Sequence, residues 1–138
     1  MFGDGVALAS VRLVFGPWRG PAITIGSTVL FAKAAAGTGD FARADLAVRA
    51  WFIHEIAHVW QFQHRPLWTL KSWLQTLLTG GYGPRRSGYR YPAAPVWRRL
   101  NLEQQAEIIA DAYRRRCDPG LAQAADLDAC LAEADLVA

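Results

Sequence analysis

The sequence predicts an α+β domain, mostly α, and three observations carry that prediction. Residues 21–33, PAITIGSTVLFAK, are rich in β-formers around a Gly26-Ser27 pair. From Asp45 to about His64 a helical pattern runs without a breaker, and further amphipathic segments follow at 67–78 and 101–116. At 138 residues the chain has the length of one domain with a modest core. Hydrophobic residues make up 52% of it and charged residues 20%, which excludes a disordered tail. Residues 1–138 are therefore read as a single domain, without internal repeats or a low-complexity linker.

Residues 5–15 fit either a short helix capped by Asp4 or a strand, because periodicity does not separate the two; a helix is the preferred expectation. Within 21–33 the Gly26-Ser27 pair suits a hairpin turn or a bulge, and AAAGTGD at 34–40 breaks the pattern. Leu46, Phe52, Ile53, Ile56, Ala57 and Trp60 supply the apolar face of the long helix, which Pro66 should stop. LWTLKSWLQTLL then puts Leu67, Leu70, Trp73 or Leu74, and Leu77 on one side. Its Trp68 and Trp73 either cover the core, the preferred expectation, or form a docking face for a partner or membrane surface. GGYGPRRSGYRYPAAP, 80–95, is a long Gly/Pro loop and the candidate flexible functional segment. Asn101 is a good N-cap for the helix at 101–116, Pro119-Gly120 punctuates, and an Ala/Leu/Asp helix closes the chain.

A net charge of +3 arises from 13 arginines and 2 lysines, clustered at Arg85–Arg86, Arg90, Arg98–Arg99 and Arg114–Arg116. These are read as a solvated surface, with no nucleic-acid partner expected. No run reaches the roughly 18 apolar residues of a membrane span, and the N-terminus lacks the basic region of a signal peptide. The expectation is a chain that starts in the cytoplasm with Cys117 and Cys130 reduced.

All three histidines fall within HEIAHVWQFQH, residues 54–64. His54, Glu55 and His58 form H-E-x-x-H inside the long helix. Four residues advance about 40° around a helix and about 6 Å along it, so the two imidazoles share a face, as two nitrogen ligands of one zinc ion must. Glu55, beside His54, can hold a water rather than the metal. A catalytic zinc needs a third protein ligand. His64 has the H-E-x-x-H-x-x-G-x-x-H spacing, but Gln61 stands at the glycine position. On a continuing helix His64 lies about 15 Å further along than His54 and about 280° around, out of reach of the same ion. It is read instead as capping the helix C-terminus. The preferred third ligand is Glu107, with Asp111 one turn on to orient a ligating histidine. Glu103, one turn earlier on the same face, is the competitor. Tyr89 and Tyr91, in the loop before this helix, are the candidate donors to an oxyanion; Tyr82 and Arg90 are weaker choices.

HEIAH followed by an E-x-x-x-D helix resembles the gluzincin branch of zinc metallopeptidases. More narrowly, WFIHEIAHVWQFQ, YRYP and NLEQQAEIIADAY resemble small bacterial Vgr-related proteins and the metallopeptidase-like core domain of contractile injection systems. The resemblance is tight over 51–64 and 89–113 and loose elsewhere. It implies a minimal zincin-like fold with an active-site helix, a small β-hairpin or sheet, and a Glu-bearing second helix. It also implies Zn2+ on His54, His58 and Glu107, Glu55 as catalytic base, Asp111 behind the ligands, and an edge strand drawn from PAITIGSTVLF beside the cleft. The function so implied is hydrolysis of peptide bonds in a peptide or protein substrate by a zinc-activated water. The alternative is a catalytically silent zinc-binding module of a secretion or contractile-injection machine, partnered by tail-like proteins. Export by a non-classical secretion machine is compatible with either.

Overall fold

The computed structural model describes residues 2–17, 22–32, 40–78, 87–121 and 127–134. The long helix α1, Leu46–His64, is the element on which the others pack. Its start is fixed as the sequence predicts: the Asp45 carboxylate accepts from the Val48 N–H at 2.9 Å. Its end coincides with the proline. Pro66 opens the next helix, α2 (Pro66–Leu78), where its missing N–H costs nothing.

Three strands form the sheet: β1 (Arg12–Gly16), β2 (Ile23–Ile25) and β3 (Thr28–Ala32). Their order is β1-β3-β2, with β2 antiparallel and β1 parallel to the central β3. Gly26 takes the left-handed φ of 60° that the tight β2–β3 turn requires, so the hairpin option holds over the bulge. The expectation of a helix at 5–15 is corrected. Short 3-10 turns at Gly3–Gly5 and Leu8–Ser10 lead into strand β1. The physical reason is pairing: β3 offers a free edge, and the β-branched and aromatic side chains of β1 suit it better than an isolated turn of helix.

Along β3 the side chains alternate, so Val29 and Phe31 are fully buried. Phe31 anchors an aromatic cluster, meeting Trp51 edge-on at 5.0 Å and Phe41 at 5.1 Å between ring centroids. On another side of α1 lies α3 (Leu102–Cys117), with Ile108, Ile109 and Ala112 buried in the same core. Asn101 caps it in a full capping box. Its side chain accepts from the Gln104 N–H, and the Gln104 side chain accepts from the Asn101 N–H. A short α4 (Leu127–Ala132) closes the core with Leu127, Cys130 and Leu131. Cys130 is therefore buried while Cys117 is exposed, and both are free thiols.

No described helix is long and apolar enough to cross a membrane. Trp60 and Trp97 are core residues, 6.0 Å apart in a T-shaped pair. α2 departs from the preferred expectation of core cover. Leu67 is 83% exposed, Leu78 87%, and Trp68 40%. The expected break at 34–39, the Gly/Pro loop at 80–86 and Tyr82 lie outside the described residues.

Candidate metal centre

The H-E-x-x-H turn lies in the buried middle of α1, with His54 and Glu55 only 6% and 5% exposed. Burying so much polar surface is stable only if each group finds a partner, and the partners come from two directions.

From α3 comes a carboxylate. Glu103 Oε2 lies 3.1 Å from His54 Nε2 and 3.4 Å from His58 Nε2. His54, His58 and Glu103 thus offer three ligand atoms that all lie within 4.8 Å of one another. Glu107, the expected third ligand, is instead on the far side of His54, 3.2 Å from its Nδ1. That approach is out of line for a hydrogen bond, so the buried Nδ1 has a charged neighbour but no aligned acceptor. The difference from expectation is one helical turn, and its cause is the packing register. α1 and α3 run antiparallel: His54 meets Glu107, His58 meets Glu103, and Gln61 meets Leu102. Glu103 is thereby brought between the two imidazoles and Glu107 is left beyond them.

Asp111 is one layer further out than expected. It accepts from the Tyr91 hydroxyl at 2.6 Å and pairs with Arg114, which also donates to Glu107 at 3.0 Å. The place beside His54 expected of Asp111 is therefore occupied by Glu107. Tyr91 is a brace: burial and the adjacent Asp111 carboxylate push its phenol far above the ordinary range, keeping it neutral. Tyr89 is the tyrosine that comes to the site, its ring centroid 6.0 Å from that of His54. The Gly88 and Arg90 carbonyls accept from Asn101 and Gln104, tying this stretch to the start of α3. Arg90 is itself exposed.

From the sheet comes a hydroxyl. Thr24, in β2 and 5% exposed, donates to Glu55 Oε2 at 2.8 Å. Among the described residues β2 is an edge strand, so the hairpin does supply an edge beside the H-E-x-x-H helix. His64 sits apart at the end of α1, its Nδ1 3.0 Å from the Trp60 carbonyl and its ring stacked on Trp60. This is the helix-end role expected of it. Sequence reasoning missed the roles of Thr24 and Gln61; Thr24 was signalled only as a polar residue between Ile23 and Ile25.

Electrostatics follow the geometry. Burial disfavours a charged His54, but the hydrogen bond to Glu103, the close Glu107 carboxylate and the negative charge of Glu103 and Glu55 outweigh it, raising its pKa from 6.5 to about 9. Burial likewise opposes the Glu103 charge, and the two histidines more than offset it, holding the carboxyl well below the usual range. Because the folded pKa of His54 exceeds the unfolded one, this group stabilises the metal-free fold fully below pH 6.5, and the stabilisation is lost as pH rises through about 9. Chelator-treated protein, compared with His54→Gln, is expected to lose its relative thermal stability across that window. A relative stability that rises instead would contradict the assigned contacts.

No family model matches the chain. It is similar to the type VI secretion system spike protein VgrG2b of Pseudomonas aeruginosa, at 29% identity over 136 residues, covering 90% of this chain. The matched stretch is 13% of that protein's length. The fold matches the solved effector domain of Pseudomonas aeruginosa VgrG2b with a TM-score of 0.67 and 28% identity, over 89% of this chain and 71% of that one. The chain is thus an α+β domain similar in sequence and fold to the effector domain of Pseudomonas aeruginosa VgrG2b.

Proposed function

We propose that the chain is a zinc-dependent peptidase domain of gluzincin type in which His54, His58 and Glu103 hold the ion. The observation that carries this reading is one carboxylate oxygen 3.1 and 3.4 Å from two imidazole nitrogens. Tetrahedral zinc with bonds of about 2.0–2.1 Å keeps its donors roughly 3.3 Å apart, which the two distances from Glu103 to the imidazoles match. Two imidazoles and one carboxylate also form a catalytic rather than a structural donor set, which leaves a fourth place open.

When bound, the ion would supply Lewis acidity, lowering the pKa of a water and polarising a peptide carbonyl. The remaining work falls to the chain. Glu55 would take the proton of the attacking water and return it to the leaving amine. Thr24 engages Oε2 of Glu55, so Oε1 is the oxygen available to that water. Tyr89 replaces Tyr91 as the candidate oxyanion donor, since the Tyr91 hydroxyl is committed to Asp111. An extended peptide would pair with the edge of β2, placing its backbone beside Glu55. The likeness to a secretion-system effector domain supports a protein that meets its substrate after export through such a machine, with spike or tail-like proteins as partners.

The test joins two measurements on purified protein: metal content, and cleavage of a broad peptide library. About one zinc per chain together with cleavage is expected. Full zinc loading with no peptide cleaved would leave the silent binding module as the function, and absence of bound zinc after reconstitution would remove the metal reading.

A further inference from the structure

Gln61 is the least expected member of the site. It stands where an H-E-x-x-H-x-x-G-x-x-H pattern has glycine, yet it continues α1 and is only 2% exposed. Its amide is used at both ends. Nε2 donates to the Leu102 carbonyl at 3.0 Å and to Gln105 Oε1 at 3.1 Å, and Oε1 lies 2.8 Å from His58 Nδ1. Gln105 in turn donates to the Trp97 carbonyl at 3.2 Å, so the chain of bonds runs on into the core.

The orientation of that amide is forced. A backbone carbonyl only accepts, so the NH2 end must face Leu102 and the oxygen must face His58. An amide oxygen also only accepts, so His58 must carry its proton on Nδ1. Nε2, the nitrogen turned to Glu103, is then the one left to bind a cation. The same side chain grips the peptide carbonyl immediately before Glu103. One buried amide therefore fixes the tautomer of one ligand and the axial position of another.

We propose that Gln61 is the positioning residue of the metal centre, setting the α1–α3 register that makes Glu103 the third ligand. This rests on the metal-site reading above but not on peptidase activity. Loss of an outer-shell partner typically weakens metal binding by about 10- to 100-fold. Gln61→Leu keeps the apolar bulk and removes every bond. It should raise the zinc Kd, measured by chelator competition, by about that factor.

A second readout needs no metal. In ring-labelled protein, NMR should detect a slowly exchanging Nδ1 proton on His58 in the wild type. Gln61→Glu, which keeps an acceptor, should retain it, and Gln61→Leu should lose it to solvent exchange. A fast-exchanging Nδ1 proton in the wild type or in Gln61→Glu overturns the assignment, even if the leucine variant fails to fold. So does a leucine variant that folds and binds zinc within about twofold of the wild type, given the effect expected of such a partner. Protein that shows the protected proton and binds zinc, yet cleaves nothing, leaves Gln61 in this role and ends the peptidase reading alone.

Discussion

Glu55→Gln is expected to keep its zinc and its fold while peptide cleavage falls by about 10²- to 10⁴-fold, the range a positioned general base contributes. The reason lies in which groups Glu55 touches. Its carboxylate is not among the three clustered ligand atoms and turns instead toward β2, where Thr24 donates to it. The amide of glutamine still accepts that hydroxyl, so the buried site stays satisfied and no cavity opens. What the amide cannot do is take a proton from water near neutral pH. Loss of cleavage with unchanged metal content isolates this step. Cleavage retained at the wild-type rate would eliminate Glu55 as the base, whatever the metal content.

Substituting the proposed third ligand should separate the two glutamates of α3. Glu103→Ala is expected to weaken zinc binding by more than the about 100-fold upper end for outer-shell partners, because it deletes a donor from the ion itself. It also leaves the buried His54 and the half-buried His58 without the carboxylate both of them contact. Glu107→Ala should cost about 10- to 100-fold, because Glu107 reaches the centre only through His54 Nδ1. Its removal also strands Arg114, which keeps Asp111 as its remaining acid. His64→Ala should leave zinc binding unchanged, since that ring bonds to and stacks on Trp60 near the helix end. Chelator competition on the three variants gives the ranking directly. A larger loss for Glu107→Ala than for Glu103→Ala would restore the ligand set expected from the sequence.

That reversal by one turn marks the boundary between what the sequence determined about this protein and what the tertiary structure decided. Local features were legible because they depend on neighbours along the chain. The helix start at Asp45, the Asn101 cap, the stop at Pro66 and the shared face of His54 and His58 all follow from backbone geometry over a few residues. Periodicity left helix and strand open at 5–15, because the β-pairing of 12–16 with β3 that decides it is a contact made across the chain. Nor was the choice between Glu103 and Glu107. Both lie on one face of one helix, and which meets the imidazoles depends on how far α3 slides along α1, a displacement of about 6 Å per turn. Only side chains that bridge the two helices fix that slide, and Gln61 does so through the Leu102 carbonyl. The chain's order thus settled which side chains share a helix face, and the packing of two distant helices settled which of them meet.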